Sequence, residues 1–278
     1  MPELPEVETI RRDLETILLE RTIQSLQVKD LSVLTGIGPK GQPRRRISAP
    51  QFKSKILGKT VQKFDRRGKY LIMEFSDGTA LVFHLRITGQ LLVAPLNYPE
   101  RIRFDFDEGQ RLYFTDRRRF GEVIFSENWK ALPEIVSLGV EPINEALSGE
   151  YLKSIFRGRS APIHSILLNQ KLVSGLGNIY VTEALFQAGL RPKRPCGKIP
   201  FSKLSELSQS IRQVIADSIE HRGYSMNTYV DAMGKKGRSQ LFSKAYGKDG
   251  LPCPRCGATF KRIVLAGRGA VFCPRCQE

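Results

Sequence analysis

The sequence predicts an α+β protein: an N-terminal helix with an antiparallel β-sandwich, then a helical domain and a C-terminal β-hairpin zinc finger. Apolar residues recur at helical spacing near the start, short β-type runs fill the next hundred residues, and helical spacing returns after Pro133. Two C-x2-C pairs close the chain. We expect domains at residues 1–132, 133–232 and 233–278, the last comprising a linker and the finger.

The first half of the chain supports the helix and the sandwich. We expect a helix over residues 5–19, because Val7, Ile10 and Leu14 share one face and proline is tolerated in a first turn. The β-type runs include residues 70–75, 79–85 and 111–114. Asp-Gly and Glu-Gly pairs mark turns between strands, which favours antiparallel pairing. Residues 36–50 are rich in Gly, Pro and Arg and are predicted to form an exposed, mobile loop.

The second half is predicted to be helical and to end in a linker. Candidate helices cover residues 149–156, 161–169, 177–188 and 201–221. The longest candidate has an apolar stripe, which we interpret as core rather than as a partner surface. The stripe comprises Leu204, Leu207, Ile211, Val214, Ile215 and Ile219. Residues 229–252 are rich in Gly and Lys and are predicted to form a loop and linker.

The four terminal cysteines have the spacing of a tetrahedral zinc site. They are Cys253, Cys256, Cys273 and Cys276, and the segment between the pairs is predicted to form two short strands around a Gly-Arg-Gly tip. So small a ribbon cannot bury a core, so one structural ion would supply its folding energy. Two disulfides are the alternative, which we consider weaker for a chain that is not secreted.

The charge balance indicates a polyanionic partner. The chain has 44 Lys and Arg against 28 Asp and Glu, a net charge of +16. Basic residues cluster over residues 40–69 and from residue 234 to the end, so the cysteine ribbon lies in a basic tail. General solubility is the alternative, although added acidic residues usually serve it better. We favour nucleic acid over membrane, because no apolar run approaches the length of a membrane span.

The start of the chain and the fifth cysteine indicate the compartment. The first six residues lack the basic and apolar regions of a signal peptide. Cys196 has no cysteine left to pair with if the other four bind metal. Both observations predict a reducing cytoplasm or nucleoid.

The amino terminus has the chemistry of a covalent nucleophile. If Met1 is removed, Pro2 carries a free secondary amine, which can form an iminium with an aldehyde-like carbon. A generic α-amine titrates roughly 2.5 pH units below lysine, so far more of it is neutral at pH 7. Glu3 adjoins it and could act as an acid or base. Taken alone, these residues favour the alternative: many proteins begin Met-Pro, and Glu3 and Glu6 would then only complement the helix dipole.

Five ordered motifs resemble the formamidopyrimidine-DNA glycosylase family, and the resemblance covers essentially the whole chain. The start reads Met-Pro-Glu-Leu-Pro-Glu-Val-Glu-Thr, and the terminal cysteine ribbon includes Gly267-Arg268. Between them lie similar motifs at residues 66–71, 115–121 and 175–180. The family implies a bifunctional enzyme that excises oxidised purines, such as 8-oxoguanine and formamidopyrimidines, and then nicks the strand by β,δ-elimination. It also implies a helix–two-turn–helix motif, one zinc ion, a monomer, and double-stranded DNA with an oxidised base or abasic site as partner.

The resemblance implies specific roles for matching residues. Pro2 would form the Schiff base, Glu3 would protonate the opening sugar, Lys69 would be a second general acid, and Arg268 would grip phosphates. The lesion base would be everted, and residues 224–242 would cover it. The remaining DNA contacts would come from two phosphate ligands, three side chains filling the vacated stack and one basic residue. They are His84 and Asn178, then Ile87, Arg118 and Phe120, and finally Arg159.

Several positions depart from the family pattern. Ile87 replaces a methionine among the residues that fill the stack, and it is shorter in reach. Arg86 replaces a glycine and Arg117 a proline, while Tyr224-Ser225 replaces the usual Ser-Thr. We expect activity to persist, with altered lesion probing or opposite-base preference.

Two other functions remain open from the sequence. A non-catalytic damage-binding protein could keep this scaffold, but it would not need a free terminal amine. An enzyme of the same chemistry could prefer pyrimidine lesions, although the Leu4-Pro5-Glu6-Val7 start and the Arg118-Arg119-Phe120 run argue against it.

Overall fold

The computed structural model describes residues 1–36, 47–95, 98–226 and 228–278. They form two compact units. Unit 1 comprises Met1–Val136 and Arg222–Arg238, and unit 2 comprises Ser137–His221 and Ser239–Glu278. The hairpin that we assigned to a third domain lies within unit 2, and the three domain ranges themselves stay a prediction.

Unit 1 contains three of the helices and the two larger sheets. One sheet has the strand order β1-β7-β8-β6 and the other β2-β9-β5-β4-β3. All pairs are antiparallel except β2 with β9, which is parallel. In chain order the elements are α1 Leu4–Leu18, β1 Ile23–Val28, β2 Leu34–Gly36, α2 Ala49–Ile56, β3 Val61–Arg67, β4 Tyr70–Phe75, β5 Ala80–His84, β6 Gly89–Leu92, β7 Glu100–Phe106, β8 Arg111–Asp116, β9 Glu122–Ser126 and α3 Pro133–Val136.

Aromatic side chains from both sheets meet in the core of unit 1. The Phe83 ring on β5 lies 6.3 Å from the rings of Phe104 on β7 and Phe114 on β8. Helix α1 buries Val7, Ile10 and other residues in the same cluster. The sheets therefore form the predicted sandwich, and α1 belongs to its core.

Helix α1 begins one residue earlier than the sequence pattern indicated, because its first turn is a capping box. The side chain of Glu6 accepts a hydrogen bond from the Glu3 backbone N–H at 2.8 Å, and Pro5 occupies the first turn. The capping box fixes Glu3, the residue that directly precedes the helix.

Helix α2 was not predicted from the sequence. We predicted a loop over residues 36–50, but α2 begins at Ala49 behind a capping box of Ser48 and Gln51, with Pro50 in its first turn. Residues 37–46 lie outside the described residues. The Gly, Pro and Arg content of the segment concealed the Ser-x-x-Gln start signal.

Unit 2 contains the remaining helices and the terminal hairpin. The elements are α4 Gly149–Phe156, α5 Ile163–Leu167, α6 Asn178–Gln187, α7 Phe201–Glu220, β10 Lys261–Leu265 and β11 Arg268–Phe272. All four helices lie within one or two residues of the predicted ends, and α4 matches them. Leu204, Leu207, Ile211 and Ile215 of the α7 stripe are buried, whereas Val214 and Ile219 are only partly so.

The terminal ribbon is attached to the end of α6. The rings of Phe186 on α6 and Phe260 beside the hairpin lie 5.4 Å apart, and the Arg255 guanidinium donates to the Phe186 carbonyl at 3.0 Å. Glu183, also on α6, accepts the backbone N–H groups of residues 244–246 at 2.6–2.9 Å. These contacts fix the ribbon against the helix.

Candidate active site

The N-terminal residues of unit 1 are held in a buried site. Pro2 is buried, and Glu3 and Glu6 are 4% and 1% exposed. The second oxygen of the Glu6 carboxylate accepts from the backbone N–H of Tyr224 at 2.7 Å. Glu6 therefore joins the start of α1 to the returning segment of unit 1, which sequence reasoning missed. The sequence showed a Glu three residues after the helix cap, which signals a capping box, but it did not show the distant partner of that Glu.

The environment of the terminal amine favours its neutral form. Burial lowers the pKa of the Met1 α-amino group, while Glu3 and Glu6 oppose this shift and Lys69 reinforces it. Removal of Met1 would transfer the amine to Pro2, one residue closer to the helix start. A neutral amine is the form that attacks carbon.

Lys69 lies at the turn between β3 and β4 and is 6% exposed. Gly68 before it has φ 58°, which a left-handed turn position requires. Arg66 anchors this turn to α1, because its guanidinium donates to the Glu8 carboxylate at 3.0 Å and to the Gly68 carbonyl at 3.1 Å. The Arg66–Glu8 ion pair is buried, and it was not identified from the sequence.

His84 ends β5 and is 6% exposed. Its Nδ1 accepts from the backbone N–H of Arg86 at 3.1 Å, so a neutral ring carries its proton on Nε2. Arg86 has φ 53°, the left-handed region that the family's glycine suits, and its guanidinium pairs with Glu122 at 3.1 Å. The turn persists without glycine.

The three predicted stack-filling residues lie on two loops of unit 1. Ile87 is 39% exposed between β5 and β6, and Phe120 is 49% exposed between β8 and β9. The Arg118 guanidinium lies 4.6 Å from the centre of the Phe120 ring, a cation–π contact. Both loops therefore present apolar or planar groups outward.

In unit 2, Asn178 and the Arg268 strand meet. Asn178 begins α6; its Oδ1 lies 2.8 Å from His164 Nε2, and its Nδ2 donates to the Gly269 carbonyl at 2.8 Å. Because an amide oxygen only accepts, His164 must donate from Nε2. We expected the Asn178 amide to bind phosphate, and the structure adds that it anchors the residue next to Arg268.

Arg268 is the first residue of β11 and is exposed, following an Ala266-Gly267 turn at φ 46° and 75°. It lies one position beyond the tip that the sequence indicated. Arg159 is also exposed, between α4 and α5, and its Nε donates to the Ile155 carbonyl at 2.7 Å. The structure shows no hydrogen bond from Arg159 to Asn178 or Arg268 among the described residues.

The four cysteines converge as a zinc site requires. Their sulfurs all lie within 4.8 Å of one another, with Cys253 3.9 Å from Cys276 and Cys256 3.5 Å from Cys273. Tetrahedral zinc with bonds of about 2.3 Å separates its sulfurs by about 3.8 Å. A disulfide needs about 2.05 Å, and all four thiols are free. The site fits one structural zinc ion and leaves no open position for substrate.

None of the helices in the described ranges is long and apolar enough to cross a membrane.

Three consecutive family profiles match the chain. They are the formamidopyrimidine-DNA glycosylase N-terminal domain at residues 1–123, the H2TH domain of that glycosylase at 138–230, and a zinc finger found in FPG and IleRS at 250–278. The match order follows the predicted order of sandwich, helices and ribbon.

Curated relatives and solved structures agree over full length. Proteins named formamidopyrimidine-DNA glycosylase from Desulforamulus reducens and Chloroflexus aggregans are 41% and 38% identical; each alignment covers 100% of this chain and 99% or 98% of the relative. A Lactococcus lactis FPG mutant in complex with Fapy-dG-containing DNA superimposes with a TM-score of 0.88 at 35% identity, covering 100% of both chains. The Thermus thermophilus MutM (FPG) protein gives 0.86 at 34% identity, covering 99% and 98%. The chain belongs to the formamidopyrimidine-DNA glycosylase family.

Proposed function

We propose that this protein is a bifunctional DNA glycosylase and abasic-site lyase of base excision repair, with Pro2 as its nucleophile. The observation that carries the proposal is the start of the chain, where Pro2, Glu3, Glu6 and Lys69 are all buried and where burial lowers the pKa of the Met1 α-amino group. A protein that only bound damaged DNA would not need a neutral amine at this place.

The chemistry follows from these groups. The Pro2 nitrogen attacks C1′ of the lesion nucleotide, and the base leaves with the electron pair of its bond to C1′ and takes up the proton that the Pro2 nitrogen loses. Glu3 donates a proton to the ring oxygen as the sugar opens, which leaves an iminium between Pro2 and C1′. The iminium acidifies C2′, so successive β- and δ-eliminations expel the 3′ and 5′ phosphates, and hydrolysis regenerates the amine. Lys69 supplies the second acid.

The exposed residues divide into phosphate ligands and stack-filling groups. His84, with its proton on Nε2, and Arg268 offer donors to phosphate, and the guanidinium of Arg268 can do so in bidentate fashion. Asn178 contributes the start of α6, where backbone N–H groups favour anions. Arg159 adds a basic contact. Since many such contacts release counterions, binding should weaken steeply with salt.

Ile87, Arg118 and Phe120 would enter the stack that the everted base vacates. Phe120 suits a wedge between base steps, and the Arg118 guanidinium can pair with the orphaned cytosine. Tyr224 is 9% exposed, and its backbone N–H donates to the Glu6 carboxylate on α1, so the start of the segment of residues 224–242 is fixed to α1. Residue 227 lies outside the described residues. We propose that this segment covers the everted base.

The substrate class rests on the relatives. The relatives above are named for formamidopyrimidine, and solved Lactococcus lactis complexes contain DNA with Fapy-dG, an oxidised pyrimidine or an abasic site. We infer oxidised purines as the main substrates here. The named relatives are bacterial, and a repair enzyme acts where the chromosome is, so we place the protein in the cytoplasm at the nucleoid. We expect it to act as a monomer.

Borohydride trapping tests the proposal. Protein verified to begin at Pro2 is incubated with a duplex carrying 8-oxoguanine opposite cytosine, and separately with an abasic-site duplex. We expect a covalent adduct on both, a weaker adduct in Pro2→Gly, which keeps a primary α-amine, and loss of base excision in Glu3→Gln. An N-terminally extended protein, which has no free Pro2 amine, is the matched control and should trap neither. The absence of an adduct on both duplexes would refute the proposed enzymatic activity.

A further inference from the structure

One buried carboxylate connects the two loops that carry the stack-filling residues. Asp116 ends β8 and is fully buried. Its Oδ1 accepts from the Thr88 hydroxyl and from the backbone N–H of Arg118 at 3.0 Å, and its Oδ2 accepts from the backbone N–H of Gly121 at 2.6 Å. Both oxygens are therefore used by loop atoms.

The bonds join segments that are distant in sequence. Thr88 directly follows Ile87, whereas the Arg118 and Gly121 amides flank Phe120. The Thr88 hydroxyl oxygen also lies 3.2 Å from the Arg118 nitrogen, so the three groups form a closed cluster. Displacement of either loop would strain bonds to the other.

The loop after β8 needs such an anchor. Arg119 has φ 59°, a left-handed conformation that is unfavourable for a side chain with a Cβ. At Gly121 a Cβ would lie 2.7 Å from the Phe114 ring, so the backbone is pressed against the core there. Arg101 adds a bond from its Nε to the Asp116 carbonyl at 2.8 Å. Hydrogen bonds to Asp116 and the close approach at Gly121 hold this loop, together with an ion pair between Arg119 and Asp30 at 3.1 Å.

We propose that Asp116 is a positioning residue that locks the two loops together, so that Ile87, Arg118 and Phe120 enter the base stack as one rigid unit. The inference rests on the proposed function. Separating stacked bases costs free energy, which opposes insertion of the three side chains. A loop that moved under this opposing force would not hold them in the stack. A charged acceptor shared by both loops makes displacement of one loop alone unfavourable.

Asp116→Asn is the direct test, because the amide matches the carboxylate in shape but replaces one acceptor with a donor that faces a backbone N–H. We expect single-turnover excision of 8-oxoguanine to fall roughly tenfold or more, the equivalent of one lost charged hydrogen bond. Incision of a preformed abasic site, where no base must be removed from the stack, should stay within about twofold. The fluorescence of 2-aminopurine placed beside the lesion should show that Ile87, Arg118 and Phe120 insert into the base stack more slowly.

Asp77→Asn is the matched control. Asp77 also accepts a backbone N–H at a turn of unit 1, from Thr79 at 3.1 Å, but this turn precedes β5, whereas the Ile87 loop follows β5 and the Phe120 loop follows β8. It should leave both activities unchanged. Thr88→Val removes only the hydroxyl and should reproduce part of the excision defect, whereas Thr88→Ser should restore it, which keeps the test usable if Asp116→Asn folds poorly.

The outcomes separate the inference from the proposed function. Wild-type protein that cannot incise the abasic duplex would refute the function. If the wild type is active, two results would refute the positioning role. In the first, Asp116→Asn and Thr88→Val are both unimpaired. In the second, the variants lose excision of 8-oxoguanine, incision of the abasic site and 2-aminopurine-detected insertion to the same extent. Selective loss of excision with slowed insertion would support it.

Discussion

Replacing His164 should destabilise unit 2 by releasing the Asn178 amide. His164 is fully buried and donates from Nε2 to Asn178 Oδ1, which leaves Asn178 Nδ2 directed at the Gly269 carbonyl. His164→Leu removes the donor, so the amide no longer has a fixed orientation and the bond to Gly269 weakens as well. Two hydrogen bonds at about 0.5–1.5 kcal/mol each give a loss of about 1–3 kcal/mol.

His164→Gln is the matched variant, because its side-chain amide offers an N–H donor without a ring. We expect it to lose less than half of that amount. Denaturant unfolding of the zinc-loaded protein measures the free energy of unfolding, and hydrogen exchange at β11 reports the hairpin next to Arg268. Equal stability of the Leu and Gln variants, with unchanged exchange at β11, would refute the argument that His164 orients Asn178.

Three further predictions concern pH, metal and the turn of Lys69. Burial lowers the pKa of His164, so as the pH falls this imidazole is protonated in the unfolded chain before it is protonated in the folded one. The stability of unit 2 should therefore be full above about pH 6.5 and fall below it. Denaturant titrations should show this pH dependence reduced in His164→Gln. Chelation of zinc should abolish exchange protection of β10 and β11 and weaken DNA binding in a gel-shift assay, and restored zinc should reverse both. Arg66→Met should cost about 1–3 kcal/mol of unfolding free energy, because the buried Glu8 carboxylate loses the most buried of its arginine partners among the described residues. Exposed Lys63→Met should cost little, and equal losses would contradict the role of the ion pair.

The sequence predicted elements whose signals are local. The period of Val7, Ile10 and Leu14 identified α1, because one buried face repeats every turn of a helix. The spacing of the cysteines identified the zinc site, because two residues suffice to bring paired thiolates onto one ion. Both signals lie within a few residues of the structure that they specify.

The remainder depends on contacts between distant residues. Glu6 binds the backbone of Tyr224, Arg66 binds Glu8, and Asp116 binds Thr88, and none of these pairs has a spacing that a single sequence reveals. The roles of Pro2, Glu3, Lys69 and Arg268 came from the resemblance to the family rather than from periodicity, and they stay predictions. Helix α2 was missed because its composition is that of a loop.

The most direct test of the central claim is the location of the covalent bond. Borohydride-reduced complex with abasic DNA is digested with trypsin and the DNA-linked peptide is identified by mass spectrometry. We predict the sugar remnant on the peptide of residues 2–11, attached at the Pro2 nitrogen. Attachment to the peptide of residues 68–86, at Lys69, would contradict the account, because the nucleophile would then be a side-chain amine and the buried chain start would have another purpose.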